Sequence, residues 1–198
     1  PNVVRALNIS ELPLVAEDKR MVPPERFDVK VMSMGFFQEN EDEAIIWRGP
    51  MVHNAINQFL QSTDWGELDY LIIDLPPGTS DAPLTIMQAL DMDGFVVVTT
   101  PQQLAMIDAK RSINMIRKLH VNVLGVVENF SGEIFGTGGG EQLAQEMDLN
   151  FLGRLEMRTD YRDTSKPTVL NSNTVLNEFQ SIVDGMKAGL EAVEVEAD

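Results

Sequence analysis

A chain of 198 residues with 43% hydrophobic content can bury one sizeable core, and it contains no apolar run long enough to span a bilayer. Its 31 acids against 15 bases give a formal charge of −16, which argues against the clustered lysines and arginines that nucleic acid or an anionic membrane requires. It has no cysteine, so neither a disulfide nor a thiolate-held metal or cluster site can come from these residues.

The scarcity of lysine and the spread of acids along the chain match adaptation to a high-salt cytoplasm. With no signal-like segment, a cytoplasmic location is the expectation. The chain opens on Pro1 rather than Met, as a fragment or a processed chain would.

In chain order, FDVKVMSMGF (27–36) reads as a strand with polar interruptions. GPMVHNAINQFLQST (49–63) reads as a helix with Pro50 at its start, where a missing N–H costs nothing. DYLIIDL (69–75) is a nearly continuous apolar run, the pattern of a buried parallel strand. DAPLTIMQALD (81–91) follows as a helix and GFVVVTT (94–100) as another buried strand. PQQLAMIDAKRSINMIRKLH (101–120) is a long helix, with Leu104, Ile107, Ile113 and Ile116 expected near one face. VNVLGVVENF (121–130) is a strand, GEQLAQEMD (140–148) a helix and LNFLGRL (149–155) a strand. A last helix is predicted over 173–192, followed by a frayed acidic tail carrying Glu194, Glu196 and Asp198.

This alternation predicts an α/β fold, a doubly wound and mostly parallel sheet with helices on both faces, in a single domain over 1–198. Such sheets bind ligands at the carboxyl ends of their strands. The segments to weigh are therefore Asp74 to Asp81, Thr99 to Gln102, Glu128 to Ser131 and Gly153 to Asp163.

In LIIDLPPGTSD (71–81), an acid ends an apolar run and two prolines stiffen the next turn. A strand-end Asp74 either orders a Mg²⁺ ion through its water shell or caps a nearby turn or helix. Gly78 lets a backbone N–H approach a ligand closely, and Thr79 adds a hydroxyl. Asp81 can cap a helix that starts near Ala82, with Pro83 in the first turn. A stiff loop of this kind suits the sensing of a terminal phosphate.

DYLIIDLPPGTSD resembles the Walker B and switch II segment of the Mrp-type (ApbC-like) iron–sulfur carrier ATPases, in the MinD-like, deviant-Walker branch of P-loop NTPases. PPERFDVKVMSMGF, IIWRGPMV, VVVTTPQQLAMIDAKRSINM, VLGVVENFSG and IFGTGGG match the same family in order, across nearly the whole chain. The resemblance implies a homodimer that binds ATP and Mg²⁺, holds a transient [4Fe-4S] cluster and passes it to apo iron–sulfur proteins alongside other cluster-assembly proteins. The acidic composition, rather than the resemblance, argues against a nucleic-acid or membrane partner. On these positions Asp74 resembles the Walker B acid that orders Mg²⁺ through water, and Gly78, Thr79 and Asp81 resemble switch II. Asn129 resembles the asparagine that reads the adenine edge, although a turn residue is the alternative. Gly153 and Leu155 lie where the loop that covers the base departs. Arg48, in WRGP, is a family mark without a role derivable from the residues. Gly138 to Gly140 could form a phosphate loop, but Glu141 follows them and the family places nucleotide elsewhere.

The sequence departs from the family in several places. The phosphate loop GKGGxGK[ST] is absent, and the family pattern puts it upstream, so about a hundred residues or somewhat fewer are expected before Pro1. ENFSGEIFG runs straight across the place of the C-x-x-C motif, YRDTSKP (161–167) is short, and Glu156 replaces a common proline. Two further readings compete with the carrier. One is a MinD- or ParA-like positioning ATPase, which the acidic surface and acidic last helix disfavour. The other is a non-enzymatic scaffold, which the missing phosphate loop and thiols would suit.

Overall fold

The computed structural model describes residues 2–37, 49–75 and 81–197. They gather into two compact units, Pro1–Ala89 with Ser165–Pro167, and Leu90–Thr164 with Thr168–Asp198.

The first unit opens with the short helix α1 (Val3–Ala6). Two small antiparallel pairs follow, β1 (Leu14–Val15) with β2 (Met21–Val22), and β3 (Glu25–Arg26) with β4 (Val29–Lys30). The second pair replaces the strand expected over 27–36. Phe27 and Asp28 have φ of 55° and 59°, so both centres of a two-residue turn are left-handed and the chain reverses. A 3₁₀ turn over Met34–Phe37 then ends the extended run. Residues 62–64 add to β2: Met21 N–H donates to the Ser62 carbonyl at 2.7 Å, and Asp64 N–H donates to the Met21 carbonyl at 2.8 Å.

The helices α2 (Gly49–Gln61) and α3 (Asp81–Ala89) are formed as expected, and α3 starts at Asp81 itself. His53 Nδ1 lies 3.4 Å from Thr85 Oγ1 between them. The Phe37 and Phe59 rings stack with centroids 5.9 Å apart. The expected strand at 69–75 is not formed, and Ile72 is 83% exposed. A parallel strand is held by ladder bonds to its neighbours. Among the described residues no strand pairs with this run, so its apolar composition alone does not make it one.

The second unit carries the sheet. β5 (Phe95–Thr99), β6 (Val123–Ser131) and β7 (Phe151–Glu156) lie side by side and parallel, in that order. Helices α4 (Gln103–Lys118) and α5 (Gly139–Glu146) cover one face, where Val97 and Val126 pack with Ile113, Ile116, Leu143 and Met147. Helix α6 (Asn173–Ala197) covers the other face, where Val127 and Leu152 pack with Ile182. Neighbouring residues such as Val126 and Val127 serve opposite cores, as the two-residue period of a strand requires. This is the doubly wound arrangement.

Two expectations for helices change. Leu104 is 78% exposed and Ile107 is exposed, while Ile113 and Ile116 are buried. Nine residues advance an α-helix by roughly two and a half turns, so Leu104 and Ile113 fall on opposite sides. The last helix also continues to Ala197, because its terminal alanines and glutamates favour helix over a frayed tail.

Candidate functional site

The carboxyl ends of the three strands bring Thr99, Glu128 and Arg154 into one row across the sheet. Glu128 is wholly buried. A buried carboxylate needs donors, and this one has three. The Ser131 hydroxyl donates to Oε1 at 2.8 Å, the Gly138 N–H to Oε1 at 3.0 Å and the Gly140 N–H to Oε2 at 2.7 Å. The first N–H groups of a helix lack intrahelical partners and carry the positive end of its dipole. In α5 that end is filled by the chain's own carboxylate. Gly138 to Gly140 therefore do not form a phosphate loop here, because Glu128 occupies the place of the anion. Sequence reading marked the interval Glu128 to Ser131 but assigned Glu128 no role. The available signal was an acid inside an apolar strand, with a glycine run ten residues on.

Asn129 follows directly. Between Glu128 and Ser131, β6 advances three residues while β7 advances two, from Arg154 to Glu156. The extra residue makes a bulge, and Phe130 takes a left-handed φ of 57°. The Phe130 N–H donates to Asn129 Oδ1 at 2.9 Å. The Asn129 NH₂ has no hydrogen-bond partner among the described residues. Asn129 is thus a half-buried amide at a strand end, with its carbonyl turned to its own backbone and its donor free.

Gly153 and Leu155 sit beside it on β7, and both pack. A Cβ on Gly153, whose φ is 148°, would lie 2.9 Å from Ile182 Cγ1. Leu155 packs against the Val127, Leu152 and Ile182 core. The three base-side candidates therefore share adjacent strand ends, and two of them set the approach of α6.

The segment after β7 is fastened to α6. Arg158 Nε and Nη2 donate to Glu178 Oε1 at 3.1 and 2.5 Å, and Nη2 lies 3.0 Å from Glu156 Oε2. The Glu178 hydrogen bond raises the affinity of the Arg158 guanidinium for its proton. Burial, and then the Glu178 charge, pushes the Tyr161 phenol up. The Ser172 hydroxyl is the main cause holding Asp160 below the usual carboxylate range. Glu178 Oε2 is buried without a partner among the described residues.

In the first unit, Asp74 is exposed and lies outside any regular element. Asp81 opens α3. Gly78 and Thr79, with Pro76 and Pro77, lie outside the described residues, as do Trp47 and Arg48. No group of three acids or histidines able to hold a metal occurs among the described residues. Among them, too, no helix is long and apolar enough to cross a membrane.

Comparison with known proteins decides the family. The ParA family model described as NUBPL iron-transfer P-loop NTPase matches residues 1–187. The chain belongs to that family. A curated relative, the iron-sulfur cluster carrier protein of Methanocaldococcus jannaschii, is 40% identical over 198 residues, covering 92% of this chain and 68% of that protein. A solved nucleotide-binding protein from Archaeoglobus fulgidus, in complex with ADP, superposes with a TM-score of 0.69 at 30% identity. The match covers 85% of this chain and 69% of the other. The cell division ATPase MinD of Pyrococcus furiosus shares the fold, with a TM-score of 0.55 at 17% identity over 73% of this chain and 63% of its own. The resemblance drawn from DYLIIDLPPGTSD and ENFSG, and the α/β fold expected with it, are borne out.

Proposed function

We propose that the protein binds ATP with Mg²⁺, hydrolyses it slowly and carries iron–sulfur clusters to apoproteins, as a cytoplasmic homodimer. The observation that carries this is the family match over residues 1–187. The cluster-carrier relative and the ADP-bound neighbour support it. The phosphate loop and its lysine are not among these 198 residues.

Asp74 would hold Mg²⁺ through water. Asp74 is exposed, and a single carboxylate suits an ion that keeps most of its waters. When bound, the ion neutralises charge on the transferring phosphate. Gly78, Thr79 and Asp81 would respond to that phosphate as a switch. Asn129 contacts the adenine edge, and Gly153 and Leu155 shape the strand end from which the base-covering segment departs.

The cluster is cargo. These residues include no cysteine, so its thiolate ligands must come from outside this sequence. The same observation favours a second reading, a scaffold on the same fold without cluster chemistry. Calorimetric titration of the full-length protein with ATP, with and without Mg²⁺, tests the nucleotide arm. Transfer of a reconstituted cluster to an apo-ferredoxin tests the carrier arm. Absence of ATP binding would sink the first reading. ATP binding without transfer would sink the carrier arm, and neither binding nor transfer would leave the scaffold reading.

A further inference from the structure

We infer that Glu128 is a positioning residue for base selection: its buried carboxylate fixes the bulge that orients the Asn129 amide and so favours adenine over guanine. The inference rests on the reading of Asn129 as the base-contacting residue.

In a regular strand, residues three apart face opposite sides of the sheet. Glu128 and Ser131 nevertheless touch, with Ser131 Oγ and Glu128 Oε1 at 2.8 Å. Only the extra residue between them allows this. The hydrogen bond and the bulge therefore imply each other. The bulge also holds Phe130 at a φ of 57°, which an aromatic residue rarely adopts unaided. Two contacts oppose that strain: Ser131 to Glu128, and the Phe130 N–H to Asn129 Oδ1 at 2.9 Å. Glu128 is in turn anchored by the Gly138 and Gly140 N–H groups, so it ties the bulge to the start of α5.

The consequence falls on Asn129. Its carbonyl is engaged by Phe130 N–H, so the amide cannot rotate without losing that bond. It presents an NH₂ donor and the remaining lone pair of Oδ1. Adenine offers an N7 acceptor beside an N6 donor, and this pair matches. Guanine offers N7 and O6, both acceptors, and O6 would face the Asn129 oxygen. An amide free to turn would still meet an acceptor of guanine with its oxygen, but it would have to be ordered before making both bonds to adenine, so its preference for adenine would shrink. The buried Glu128 cage therefore acts on selectivity through Asn129, without touching nucleotide.

The test measures kcat and KM for ATP and for GTP in the full-length protein, its Ser131→Ala variant and its Glu128→Gln variant, with thermal melts of each. Ser131→Ala removes one hydroxyl and leaves both N–H anchors. The wild type is expected to prefer ATP. Ser131→Ala is expected to lower the ATP-to-GTP ratio of kcat/KM by about fivefold, and Glu128→Gln by about tenfold or more, through KM for ATP. A wild-type ratio in folded Ser131→Ala would overturn the inference, as would a wild type indifferent to the base. If Glu128→Gln does not fold, Ser131→Ala decides alone. A wild type that fails to bind ATP would overturn the proposed function as well, so the two failures are distinguishable.

Discussion

Substituting Gly138, Gly139 and Gly140 one at a time by alanine tests whether the glycine run is a rigid seat for Glu128 or a flexible ligand loop. The three positions meet different surroundings. A Cβ at Gly139 would lie 2.8 Å from Pro101 Cα, the Pro101 carbonyl oxygen and Met106 Sδ. Two of those atoms are backbone and cannot swing aside. A Cβ at Gly140 would lie 2.7 Å from Glu128 Cβ and 3.2 Å from its Cα, on a central strand. A Cβ at Gly138 would meet nothing within 4 Å, and only its φ of 89° opposes a side chain. Overpacking of this kind costs about 2–3 kcal/mol at Gly139 and at Gly140. Left-handed strain at Gly138 costs about 1 kcal/mol. For a chain of this length these correspond to melting-point losses of about 4–12 °C and about 2–4 °C. Differential scanning fluorimetry with urea denaturation of each variant measures them. A flat series, with all three within about 0.5 kcal/mol of wild type, would refute the seat. So would nucleotide affinity falling equally at all three without loss of stability.

Asp74→Asn should lower Mg²⁺-dependent ATP hydrolysis by about tenfold or more while moving stability by less than about 0.5 kcal/mol, because Asp74 is exposed; equal losses of both would sink its role at the metal. Arg158→Ala should destabilise the protein by about 1–3 kcal/mol, since it strands Glu178, whose Oε2 already lacks a partner among the described residues. A melt unchanged from wild type would show that the pair fastens nothing. Raising monovalent salt from about 0.1 to 1 M shortens the Debye length from about 10 to 3 Å and should raise the melting temperature, given the formal charge of −16. A melting temperature that falls or stays level in potassium chloride would remove self-repulsion as a determinant of stability.

The second unit was legible because its cues are local. GFVVVTT, VNVLGVVENF and LNFLGRL are short apolar runs separated by helical periods, and all three form the parallel sheet. DYLIIDL is also a largely apolar run, yet it forms no strand. Apolar content states a preference for burial, whereas a parallel strand also needs neighbours at hydrogen-bonding distance, which its own residues do not encode. The reversal at Phe27 and Asp28 was illegible for another reason. A turn with both centres left-handed is normally announced by glycine or asparagine, and here a bulky aromatic fills the first position.

The site divides along the same line. Asn129 could be picked out only through resemblance, because an isolated asparagine at a strand end is usually a turn residue. Glu128 was harder still, although physics constrains it more tightly. Its donors stand three, ten and twelve residues away, and what joins them is the bulge and the start of α5. A buried charge can be read from sequence only as an unanswered demand for partners. The row Glu128, Asn129, Phe130, Ser131 meets that demand and sets the amide orientation with one irregularity, so the residue that resemblance marks depends on the residue it does not.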